Sequence, residues 1–126
     1  MEIWGATDRG MVRKQNQDTF RWTKLNDSQF LAVVCDGMGG AKSGDVASKL
    51  ASEVFEADIS QSVEPDMDQQ SIVKMLVDGV KSANRAVYEQ SLVSPDFKGM
   101  GTTLVAVFLQ GSAAYIINVG ESRCYY

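Results

Sequence analysis

Apolar positions along the chain recur first at strand spacing, then at helix spacing, then at strand spacing again. Residues 2–10 (EIWGATDRG) read as a first strand ending at Gly10, and residues 18–22 (DTFRW) alternate as a second. Residues 26–28 (NDS) carry turn chemistry. Residues 29–36 (QFLAVVCD) read as a third strand, whose continuous apolar run predicts burial on both faces. The short connections make this set antiparallel. Beyond a run of glycines, Val46, Ala47, Leu50, Ala51, Val54 and Phe55 fall at helical spacing. Ser43 is the predicted N-cap, and Asp45 is placed in the first turn, where the helix dipole favours an acid. A polar connector over 59–70, containing Pro65, leads into a second amphipathic helix over about 69–91. Ile72, Met75, Leu76, Gly79, Val80, Ala83 and Val87 line one face of that helix. After a loop over 94–101, residues 102–109 and 113–120 form a hairpin around QGS, and residues 122–126 (SRCYY) begin a further strand. The order β-β-β-α-α-β-β-β, with its helices consecutive, predicts an α+β fold: antiparallel sheet with helices segregated on one face.

At 126 residues the chain is long enough for one domain with its own core. Its net charge of −4 speaks against a nucleic-acid partner, because phosphate backbones require a basic face. No apolar run approaches the roughly 20 residues of a membrane helix. The first ten residues carry no signal-peptide pattern, so the expected location is the cytoplasm and no membrane contact is expected. The two cysteines, Cys35 and Cys124, are then read as reduced, buried thiols. A cysteine phosphatase would need an arginine six residues after Cys35, where Ala41 stands. With no histidine in the chain, Ser–His and Cys–His catalysis and histidine metal sites are all excluded. Any metal must be held by oxygen, which points to Mg²⁺, Mn²⁺ or Ca²⁺.

The chemistry concentrates at VVCDGMGG, residues 33–40, where an apolar strand meets Asp36 and then Gly37, Gly39 and Gly40. A dinucleotide fingerprint fails because Lys42 stands at the third glycine position. The P-loop pattern is not met either. A calcium hand fails because glycines occupy the acid positions. What remains is an aspartate with accessible carbonyls beside it, a setting for a hard cation. Asp18, at the start of the preceding strand, can share the same rim in an antiparallel sheet. Two close carboxylates repel unless a cation lies between them or one takes a proton. Arg13, a few residues upstream, can hold an anion bidentately. An oxygen-ligated metal beside an arginine suits phosphoryl chemistry.

Five blocks, TDRGMVRKQNQD, VVCDGMGG, ASKLASEVF, GMGTTLVAV and INVGESRCYY, resemble in order and spacing the metal-dependent Ser/Thr protein phosphatases of type 2C in their bacterial form. The resemblance covers nearly the whole chain. It implies a β-sandwich flanked by helices, a binuclear Mn²⁺ or Mg²⁺ site at one end, and attack on phosphorus by a metal-bridging water without a phosphoenzyme. On this resemblance Asp36 is the bridging carboxylate and Gly37 gives its carbonyl to one metal. Asp18 supports that metal, and Arg13 holds the substrate phosphate. The implied substrates are proteins phosphorylated on serine or threonine, with a cognate Ser/Thr kinase as the opposing enzyme.

The family domain is roughly twice as long, and its second half brings two further metal aspartates. Residues 1–126 therefore correspond to its N-terminal portion, and the expectation is weak metal binding and weak or no turnover by this chain alone. Glu121 stands where the family usually has the aspartate associated with a third, looser metal. Half a sandwich predicts an uncovered apolar sheet face and a homodimer through it. Two other readings stand beside the phosphatase: a non-catalytic binding or regulatory half-domain, and a phosphatase like stage II sporulation protein E, against which NQD and DGMGG weigh. Asp8 is assigned to a turn, Met38 and Met100 to packing, and Thr102 and Thr103 to strand and loop rather than to catalysis.

Overall fold

The computed structural model describes residues 18–39 and 41–122. The strand expected over 2–10 and the residues after 122 lie outside them. Strands β1 (Asp18–Asn26) and β2 (Gln29–Met38) come first, followed by helices α1 (Ala41–Ser62) and α2 (Gln69–Ser91). A short 3₁₀ turn (Pro95–Phe97) leads to β3 (Gly101–Gln110) and β4 (Ala113–Ser122). The four strands form one antiparallel sheet in the order β1-β2-β3-β4. Among the described residues the order is thus β-β-α-α-β-β, with two strands before the helices. The last strand runs unbroken through Gly120, where a new strand was expected at 122.

Each tight connection has a local cause. Asn26 turns the chain by accepting the Ser28 N–H on Oδ1 at 3.0 Å, an Asx turn. Gly111 closes the β3–β4 hairpin with φ of 60° and donates its N–H to the Ser28 carbonyl at 3.0 Å, so the two hairpin tips lock together. Beside them, the fully buried Gln29 donates to the Glu64 carbonyl at 2.9 Å and to Gln110 Oε1 at 2.7 Å. Gln110 in turn donates to the Met67 carbonyl at 2.9 Å. These side chains satisfy the connector between the helices and pin it to this end of the sheet.

Helix α1 packs directly on β1, β2 and β3, and α2 packs on α1. The expected face of α2 is the buried one: Ile72, Met75, Leu76, Gly79, Val80, Ala83 and Val87. Asp68 caps its start, accepting the Ser71 N–H on Oδ1 at 2.8 Å. Helix α1 begins at Ala41, so Ser43 lies inside the helix instead of capping it. Its hydroxyl donates to the Asp96 carbonyl at 2.7 Å, tying the helix to the 3₁₀ turn. Phe55 and Ile59 of α1 meet Leu31, Val33, Ala106 and Phe108 of the sheet in one core.

Burial of β2 corrects one expectation. The strand alternates strictly, with Leu31, Val33 and Cys35 buried and Phe30, Ala32 and Val34 only half-buried. The buried positions lie under α1 and the others face away from the helices. Register places Phe20, Trp22, Phe30, Val34, Val107 and Ile116 on that outer face, with Trp22 53% and Ile116 70% exposed. An apolar run therefore did not mean burial on both faces.

Candidate metal centre

The β1–β2 register sets Asp18 directly opposite Asp36. Thr19, the next residue on β1, shares a 2.9 Å hydrogen bond with Ser48 of α1, so odd positions of β1 face the helix and Asp18 faces away. On β2, Cys35 and Gly37 are buried and Asp36 is half-buried, giving the same outer orientation. Directly opposed residues of antiparallel strands hold their Cβ atoms about 5 Å apart. The shared rim inferred from the sequence is thus a cross-strand pair. Asp36 is also held more firmly than a strand-ending residue, because β2 continues through Gly37, which pairs with Thr102, and Met38, which pairs with Gly101.

The glycines have separate reasons. A Cβ built on Gly37 would fall 1.8 Å from the Gly44 carbonyl oxygen, so the helix backbone presses directly on the strand there. Gly39 has φ of +109°, a left-handed conformation that side chains disfavour, and a Cβ on it would lie 2.9 Å from Met100 Cα. Sharp bending and close approach are both required, at different positions.

Two further groups border the pair. The Asp36 N–H donates to Thr103 Oγ1 at 3.1 Å, a contact not foreseen where Thr102 and Thr103 were assigned to strand and loop. The available signal was two hydroxyl residues heading an apolar strand that pairs with the Asp-Gly segment. Cys35 is fully buried, and desolvation pushes its thiol up to about 12, partly offset by a hydrogen bond with the Thr102 side chain. Such a thiol stays protonated at neutral pH and is no nucleophile, in agreement with the sequence reading.

The structure brings together Asp18, Asp36 and Gly37. Arg13, Asp8, Cys124 and the side chain of Glu121 lie outside the described residues. Two carboxylates and a backbone carbonyl are the hard oxygen donors that Mg²⁺ and Mn²⁺ prefer, so the set fits such an ion in kind. It falls short in number, because among the described residues no group of three or more His, Cys, Asp or Glu side chains gathers. A cleft of about 460 Å³ at the helix connector, lined by Glu64, Asp66, Asp68, Ser71, Lys74 and Asp78 among others, includes neither Asp18 nor Asp36. It lies by the Gln29 end of β2, seven residues and thus about 23 Å along the strand from Asp36.

Residues 11–126 match the Protein phosphatase 2C family, and the chain belongs to that family. It is 36% identical over 119 residues to the serine/threonine phosphatase stp of Listeria monocytogenes, covering 94% of this chain and 47% of that protein. To the serine/threonine protein phosphatase PstP of Mycobacterium tuberculosis it is 32% identical, covering 94% of this chain and 21% of that one. The crystal structure of the serine/threonine phosphatase Stp1 of Staphylococcus aureus superposes with a TM-score of 0.73 at 32% identity, over 86% of this chain and 42% of that one. The chain thus spans about half the length, or less, of these relatives. Among the described residues no helix is long and apolar enough to cross a membrane.

Proposed function

We propose that the chain forms the N-terminal part of a cytoplasmic phosphatase centre that hydrolyses phosphoserine and phosphothreonine in proteins with Mn²⁺ or Mg²⁺. The observation that carries this is the Asp18–Asp36 cross-strand pair on the outer face, in a chain whose relatives are named serine/threonine phosphatases. Asp18, Asp36 and the Gly37 carbonyl would hold the ion, and Asp36 and Arg13 would face the reaction. When bound, such an ion supplies Lewis acidity: it lowers the pKa of water and offsets charge on the phosphoryl oxygens. The chain's own residues do the positioning. The backbone of Asp36 is fixed between Thr103 on one side and the Gly37–Gly44 contact on the other. Arg13 would orient the phosphate through paired N–H bonds. A Ser/Thr kinase is the matching source of substrate.

The shortage of acids among the described residues favours a second reading, a half-domain that binds phosphoprotein without turnover. The apolar outer face would in either case dock a second copy. Hydrolysis of p-nitrophenyl phosphate with Mn²⁺, with and without chelator, separates the two readings. Solution scattering on the same sample tests the dimer, which a monodisperse monomer would exclude. In the phosphatase reading Asp36→Asn abolishes Mn²⁺ binding, whereas Arg13→Ala weakens phosphate binding and keeps the metal. Loss of both properties in the arginine variant counts against these roles.

A further inference from the structure

We propose that Thr103 is a positioning residue for Asp36, fixing the direction in which that carboxylate leaves the sheet; the proposal rests on the reading of Asp36 as a metal ligand. Strand pairing between β2 and β3 runs from Gln29–Gln110 to Val34–Val105 and resumes at Gly37–Thr102. Between these pairs, in unchanged register, the Asp36 N–H reaches a side chain, Thr103 Oγ1, at 3.1 Å. On the other edge of β3 the register with β4 slips by one residue between Thr102 and Leu104, so Thr103 stands opposite a two-residue bulge of β4, Gly120 and Glu121. The buried Thr102 stabilises that irregular backbone by donating its hydroxyl to the Thr103 carbonyl at 2.7 Å.

Bulges gather beside active sites, and here the residue facing one accepts, on its hydroxyl, the amide N–H of a candidate ligand. The peptide plane before Asp36 is held by this bond. The residue after it, Gly37, is wedged against Gly44. With both flanks fixed, the Cα–Cβ direction of Asp36 is fixed too. Metal ligation demands a placement within about 0.5 Å, a tolerance that a freely repairing strand would exceed. Removing the hydroxyl therefore weakens metal binding more than it weakens the fold.

The test compares Thr103→Val, which keeps the branched shape, with Thr103→Ser, which keeps the hydroxyl, in the full chain. Asp36→Asn serves as the no-site control. The readouts are Mn²⁺ affinity by electron paramagnetic resonance and hydrogen exchange of the Asp36 amide by NMR. Thr103→Val is expected to weaken Mn²⁺ about tenfold or more and to speed exchange at Asp36, with Thr103→Ser close to the unmodified chain in both. If the valine variant loses cooperative unfolding, Thr103→Ala replaces it, with the same expectation. Unchanged Mn²⁺ affinity, or an Asp36 amide that exchanges no faster, overturns the role of Thr103 while the Asp36→Asn control still reports the site. Mn²⁺ binding no tighter in the unmodified chain than in Asp36→Asn overturns the metal reading itself, and this proposal with it.

Discussion

The Gly44 carbonyl oxygen lies 1.8 Å from where a side chain on Gly37 would begin. No rotamer relieves that overlap, since both partners are backbone. The substitution Gly37→Ala must push α1 away from β2 or bend the strand beside Asp36. Overpacking of this kind is expected to cost about 3 kcal/mol, read as a shift of the urea midpoint at unchanged slope. Mn²⁺ affinity should fall in the same variant, because the displaced strand carries Asp36.

The Cys35 thiol is raised from 9.0 to about 12 by burial, so its protonated form is favoured in the folded state. Below pH 9 both folded and unfolded chains keep the proton and this contribution to stability is fully present. Above it the unfolded chain releases the proton first, so stability falls as pH rises towards about 12. A thiol reagent at pH 8 should leave Cys35 unmodified in the native chain and label it fully in urea. Peptide mapping of the labelled sites checks this.

Asp68 behaves in the opposite sense. The Ser71 N–H and hydroxyl hold its carboxyl below the usual value of 3.8, so the cap contributes above that pH and is lost as pH falls through the lowered range. Asp68→Ala should lower the thermal midpoint at pH 7 and lose most of that difference when the measurement is repeated in acid. An unchanged difference at low pH would show that the carboxylate charge is irrelevant to the cap.

Local pattern determined much of this protein. Spacing alone marked the bounds and buried face of α2, because a helix with one apolar stripe has one way to lie on a core. Alternation and turn residues marked the β3–β4 hairpin, and short connections implied the antiparallel pairing that brings Asp18 to Asp36. Tertiary structure decided the rest. Whether the second face of β2 is covered depends on what packs there, which an apolar run does not specify. Ser43 looked like a cap because its neighbours are not visible in sequence; the Asp96 carbonyl, far along the chain, claims its hydroxyl. Thr103 joined the site only through its place in the β2–β3 register and beside a bulge of β4, both set by pairing with strands before and after it. The reason for Gly37 lies in the backbone of another element. Periodicity reports what one segment does with its own neighbours, whereas contacts between distant segments are fixed by packing of the whole.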